Sequence, residues 1–186
     1  MRIAFHAPLK SPDHPVPSGD WAMARLLVRA LRLGGHEVEI VSQLRSFHKS
    51  PDAFPALLAE ADAERSRIRR LWQAERKPDL WFSYHVYYKS PDLLGPVLAR
   101  EFDVPYVTAE ASYAARRDRN GWQAEQRWVR DALGAAAINL CFTARDRAGL
   151  AGLAPEASFV ALPPFIDVAP FDAEPDDAPA RLVTVA

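Results

Sequence analysis

Cysteine is almost missing from this 186-residue chain: Cys141 stands alone, which excludes an internal disulfide framework and the multi-cysteine zinc patterns. A reducing, cytoplasmic setting fits that usage. Long hydrophobic runs are missing too. No stretch approaches the roughly 18 apolar residues of a membrane span, and the opening Met1-Arg2-Ile3-Ala4-Phe5-His6 has no apolar signal-peptide core. Nor is there an excess of one charge: 23 Lys and Arg against 24 Asp and Glu leave a net charge of −1, so bulk electrostatics selects no nucleic-acid partner. Glycine is sparse, at 8 residues, and none of them forms the Gly-x-Gly-x-x-Gly fingerprint of dinucleotide binding. His6, His14, His36, His48 and His85 lack the i, i+4 spacing of helical zinc sites, so no metal and no cofactor are expected.

What the chain does have is a regular alternation of strand and helix signals. Ile3, Ala4 and Phe5 begin a strand that breaks into His14-Pro15-Val16-Pro17-Ser18-Gly19-Asp20. Ser18 or Asp20 can cap the helix that follows. Its residues Met23, Leu26, Leu27, Ala30 and Leu31 fall on the spacing of one buried face, and Gly34-Gly35 stops it. Further strands are read at 38–41, 80–83, 104–108, 136–142 and 159–162, the fifth as continuously apolar. Helices are read at 54–75, 91–101, 121–133 and from Thr143 to near Gly152. Apolar strands without polar alternation, separated by helices, predict a parallel sheet covered on both faces. The fold class is therefore α/β, a Rossmann-like doubly wound parallel sheet in three α/β/α layers. In such sheets ligands sit beyond the carboxyl ends of the strands.

After Leu162 the pattern changes to Pro163-Pro164-Phe165-Ile166-Asp167, then to an acidic, Pro- and Ala-rich stretch, then to Arg181-Leu182-Val183-Thr184-Val185-Ala186. The expected division is one domain at 1–171, a linker at 172–180 and the first strand of a second domain at 181–186. An extra strand on the edge of the same sheet is the alternative for those last residues.

The Pro17-Ser18-Gly19-Asp20 loop followed by Gly35-His36-Glu37-Val38-Glu39-Ile40 resembles the opening of a GT-B glycosyltransferase, and most of all family four of the retaining enzymes. Pro78-Asp79-Leu80-Trp81, Val104-Pro105-Tyr106-Val107-Thr108 and Ala135-Ala136-Ala137-Ile138 extend the resemblance, and Pro164-Phe165-Ile166-Asp167 with Phe171 is similar to the handover into that family's second domain. The resemblance implies an acceptor-side N-terminal half, with a missing C-terminal domain as its partner. The activity implied is transfer of a sugar from a nucleoside-diphosphate sugar to an acceptor hydroxyl, with this chain alone inactive. It places the donor diphosphate at Ser18, Gly19 and Asp20. Another GT-B enzyme such as a nucleotide-sugar epimerase, and a stand-alone Rossmann-like binding domain without catalysis, remain as alternatives.

The residue chemistry offers acceptor contacts beyond the third and fourth strands. Tyr84, His85 and Tyr87 present aromatic faces and hydrogen-bonding groups, with Val86 and one or two of the tyrosines expected to pack inward. Glu110, where many relatives resemble one another in having a histidine, suits an acceptor hydroxyl before proton transfer; Glu110 and His85 are the two catalytic candidates. Ser112, Arg116 and Arg117 complete the acceptor set, the arginines meeting either an anionic group or plain solvent. The carbohydrate or lipid-linked acceptor implied by the resemblance raises peripheral membrane contact at the inner face. Arg65, Arg67, Arg69 and Arg70 beside Ile68, Leu71 and Trp72 supply a basic amphipathic helix for it, although an ordinary charged outer face gives the same pattern.

Overall fold

A computed structural model describes residues 1–172. The linker read at 172–180, bar its first residue, and the strand read at 181–186 lie outside the described residues. Six strands alternate with five helices: β1 (Arg2–His6), α1 (Gly19–Leu33), β2 (Glu37–Ile40), α2 (Phe54–Ala74), β3 (Leu80–Tyr84), α3 (Gly95–Phe102), β4 (Tyr106–Ala109), α4 (Gln123–Ala135), β5 (Ile138–Cys141), α5 (Ala144–Leu153) and β6 (Phe159–Ala161). All pairings are parallel, in the order β2-β1-β3-β4-β5-β6. The Rossmann-like, doubly wound reading of the sequence is the fold observed.

Local signals explain where the helices start. Ser18 caps α1, its hydroxyl accepting from the Trp21 N–H at 3.2 Å, and Thr143 caps α5 through the Asp146 N–H at 3.1 Å. α2 and α3 each have a proline as second residue, Pro55 and Pro96, whose missing N–H costs nothing in the first turn. α3 begins four residues later than the sequence suggests. Asp92 is the reason: its buried Oδ1 accepts from the Leu94 and Gly95 N–H groups, each at 2.9 Å, and ties residues 91–94 into a turn. Ser83 and the Tyr106 hydroxyl donate to the other oxygen, and a Cβ on Gly95 would collide with that oxygen and with the Trp81 indole nitrogen. Glycine is required at this one close approach. β5 is not continuously apolar either. Asn139 is buried within it, accepting from Thr108 at 2.6 Å and donating to the carbonyls of Leu133 and Ser158.

Side-chain alternation divides the core in two. Ala4, Trp81 and Tyr106 face the layer of α2, α3 and α4, where Ile68, Leu98, Val129 and Leu133 pack on them. Ile3, Phe5, Phe82 and Tyr84 face α1 through Ala24, Leu27 and Val28. On that second side the cover beyond α1 is residues 162–165, and Ile138 and Val160 at the β5–β6 end stay exposed. β1 sends the chain by way of α1 to β2 on one side and has β3 on the other. The order of the strands therefore reverses between β1 and β3, which opens a crevice at their carboxyl ends.

Candidate functional site

Four segments far apart in sequence meet at that crevice: the loop into α1 and the turns leaving β2, β3 and β4. Asp20, in the first turn of α1, places Oδ1 2.9 Å from His85 Nδ1, just past the end of β3. The carboxylate lies off the line of the ring N–H, so the contact is electrostatic and not an aligned hydrogen bond. It draws the carboxylate across the crevice, away from the helix start, where the Gly19 and Asp20 N–H groups have no partner among the described residues. A Cβ on Gly19 would meet nothing within 4 Å, so the backbone there is open to approach.

His85 and Glu110 leave adjacent strands in the same uncommon way. Each extends the ladder by one hydrogen bond, His85 N–H to Ala109 O and Glu110 N–H to Leu140 O, both 2.9 Å. Each then turns through the left-handed region, with φ of 61° and 56°. A side chain held there costs on the order of 1 kcal/mol, a strain that clusters at binding and catalytic sites. Glu110 lies beside the Tyr84 hydroxyl. Burial above all, and then the Glu110 and Asp20 carboxylates, drive the Tyr84 phenol far above its ordinary pKa, so it is a neutral donor at any working pH. Burial likewise raises Tyr87. The cluster thus offers an acidic acceptor, an imidazole and a phenolic donor to a ligand hydroxyl.

Beyond His85 the rings continue along the rim. His85 contacts Tyr87 at 5.2 Å, Tyr87 contacts Tyr88 at 5.6 Å, and Tyr88 stands edge-on to Trp122 at 4.9 Å. The Arg117 guanidinium sits 5.1 Å above the Tyr88 ring. Behind this stripe His48 fixes the turn after β2. Its Nδ1 lies 2.8 Å from the Ser46 carbonyl and its Nε2 3.0 Å from Oε1 of the fully buried Glu125, while its N–H donates to Lys89 O. A carbonyl can only accept, so Nδ1 carries a proton, and a second proton lies between Nε2 and Oε1.

The expected site residues divide by place. Ser18, Gly19 and Asp20 form one lip of the crevice, and His85, Tyr87 and Glu110 the other. Val86 and Tyr84 pack inward, Tyr84 at 2% exposure, so its ring belongs to the core and only its hydroxyl serves the site. Ser112 is half-buried and lines a separate hollow with Thr143 and Arg145. Arg116 is exposed on the short helical turn Ala115–Arg119, and Arg117 is half-buried there. Cys141 is buried in β5, where desolvation raises its thiol pKa and keeps it inert. Sequence reasoning missed the His48–Glu125 buttress and the Asp92 turn. The helix proposed for a membrane uses its features otherwise: Ile68 and Trp72 are buried, Arg65 donates to Leu93 O, Arg67 pairs with Glu64 and Arg69 with Glu101. Among the described residues no helix is long and apolar enough to cross a membrane, and no group of three or more His, Cys, Asp or Glu is arranged to hold a metal ion.

No protein-family profile and no curated protein matches this chain. Among solved structures, that of Glycyrrhiza uralensis UGT73P12 complexed with glycyrrhetinic acid 3-O-monoglucuronide is similar to this chain, with a TM-score of 0.47 and 9% identity. The match covers 87% of this chain and 48% of that one, so the chain spans about half the length of that protein.

Proposed function

We propose that this chain is the acceptor-side, N-terminal half of a retaining GT-B glycosyltransferase of the family-four kind. It takes part in moving a sugar from a nucleoside-diphosphate sugar to an acceptor hydroxyl, carried by a carbohydrate or a lipid-linked saccharide. The observation that supports this reading best is the pairing of two unlike lips across the β1/β3 crevice. One is a bare helix start at Ser18-Gly19-Asp20, suited to a diphosphate. The other is the strained, hydroxyl-binding set of His85 and Glu110. The departing diphosphate can take the acceptor proton, so Glu110 orients the hydroxyl and the chain need not supply a strong base. The cations that would neutralise the leaving group belong to a second domain, whose closure over Gly19 completes the site.

Two measurements test the reading. Titrated with UDP-, GDP- and ADP-linked sugars, the 186-residue chain is expected to show no tight saturable binding and no transfer. The full gene product is expected to transfer sugar with retention at the anomeric carbon. Tight donor binding by this chain alone, or an inverted product, overturns the assignment.

A further inference from the structure

Among the described residues seven arginines have a carboxylate within 4.0 Å, among them Arg2 with Glu39, Arg67 with Glu64, Arg69 with Glu101 and Arg76 with Asp79. Two of the cations without one meet at a single ring, at the Tyr88 end of the aromatic stripe. Arg117 stacks on the Tyr88 ring, and Lys89 Nζ lies 5.9 Å from the centre of the same ring. Neither has a carboxylate within 4.0 Å among the described residues, and the Arg117 Nε is buried without a hydrogen-bond partner. The neighbouring carboxylate, Asp118, is turned away from Arg117: its Oδ2 accepts from the Tyr113 hydroxyl and lies 3.7 Å from Arg130, and its Oδ1 is buried without a partner. Two like charges beside one ring, one with a desolvated and unsatisfied N–H, are unfavourable until an anion arrives.

Resting on the transferase reading, we infer that the acceptor carries a phosphate group bound by Arg117 and Lys89 at Tyr88, with its sugar laid along Tyr87 toward His85 and Glu110. Position separates this anion from the donor diphosphate. His85 touches Asp20 of the diphosphate loop on one side and Tyr87 on the other, so the Tyr88 site lies beyond His85 from that loop. Charge favours phosphate over a single carboxylate. A phosphomonoester brings nearly two negative charges and three acceptor oxygens, which suit a planar guanidinium and an ammonium together.

The phosphate can come from a soluble sugar phosphate or from a lipid headgroup, and two probes separate the sources. The 186-residue chain, followed by tryptophan fluorescence, is titrated with glucose 6-phosphate, with glucose as the uncharged control. It is also co-sedimented with phosphatidylcholine vesicles containing roughly 30% phosphatidic acid. Saturable binding of glucose 6-phosphate but not glucose is expected, weakened about tenfold by Arg117→Ala and less by Lys89→Ala or Arg117→Lys. Arg76→Ala, at the opposite end of the sheet, should change nothing. Vesicle binding with the same dependence on Arg117, without binding of glucose 6-phosphate, assigns the phosphate to a lipid. The inference is overturned when neither probe binds, or when the Arg117→Ala and Lys89→Ala variants bind as the parent does. Should Arg117→Ala fail to fold, Arg117→Lys and Lys89→Ala carry the test. No donor is present in these measurements, so absent sugar transfer by the full gene product, with intact phosphate binding, discards the transferase reading alone. The reverse result leaves a transferase for neutral acceptors.

Discussion

At the amino ends of the strands most of the named charges have partners, the buried Arg2 Nε and the left-handed Asp103 being the exceptions; at the carboxyl ends the open groups gather around one crevice. Around the first edge Arg2 meets Glu39 at 2.9 Å, Arg76 meets Asp79 at 2.9 Å, and the Lys77 ammonium donates to the carbonyls of Phe102 and Asp103. At the carboxyl edge two residues bend through the left-handed region, the first N–H groups of α1 stand open, and Arg117 and Lys89 have no carboxylate. Both edges cap the same sheet and come from the same kinds of loop, so general packing demands do not account for the difference. An edge that serves only folding can satisfy every group internally. An edge that binds must keep some groups unsatisfied until its ligand comes.

The largest break in that comparison should come from removing what makes the open edge tolerable. His48→Ala strips Glu125 of its partner in a dry site and is expected to cost about 3 kcal/mol in chemical denaturation. Glu125→Gln keeps a hydrogen bond and should cost clearly less. Equal costs would mean that packing between Phe54 and Trp122, rather than the polar pair, fixes the loop.

A middle-sized effect sharpens the contrast. The left-handed conformation also occurs at the closed edge, at Asp103, which ends α3 with φ of 49°. Glycine at His85, Glu110 or Asp103 should raise stability by about 1 kcal/mol in each case. On the transferase reading, only His85→Gly and Glu110→Gly should impair acceptor use by the full gene product. Loss of activity from Asp103→Gly would remove the special standing given to the other two.

The smallest effect concerns acid. Arg2 N–H and then Arg76 hold the Asp79 carboxyl below its ordinary value of 3.8, and Arg69 does the same for Glu101 below 4.5. A pKa lowered in the folded state gives stability that is present above the unfolded value and lost as pH falls through the folded one. The contribution of Asp79 and Glu101 is therefore fully present, and adds no pH dependence to the melting temperature, between about pH 5 and 8; it is lost below about pH 4, where the melting temperature should sag slightly. Asp79→Asn combined with Glu101→Gln should flatten that acid limb by lowering the neutral plateau slightly toward the acid value.

Much of the fold was legible because its signals are local. Ser18 before an apolar i, i+4 face, Gly34-Gly35 after it, and the unbroken apolar run at Leu80–Phe82 each specify an element within a few residues. Where the reading slipped, a distant partner decided the outcome. α3 waits for Asp92 because Ser83 and Tyr106 from two strands hold that carboxylate, and Asn139 enters β5 because Thr108 of the neighbouring strand satisfies it. The site divides in the same way. Ser18, Gly19, His85, Glu110 and Arg117 stood out by residue type at the end of a strand or helix. The His48–Glu125 link, 77 residues apart, leaves no trace in spacing, since only the strand order brings those turns together.

That link has a consequence for binding strength. Ser46 N–H donates to Pro8 O and His48 N–H to Lys89 O, so the turns after β1, β2 and β3 are laced into one piece, and Glu125 pins that piece to α4. A receptor assembled in advance loses little loop entropy when it is filled. Contacts made at Tyr88, His85 and Glu110 can then appear almost wholly as affinity, and a modest set of them suffices to hold a small polar molecule.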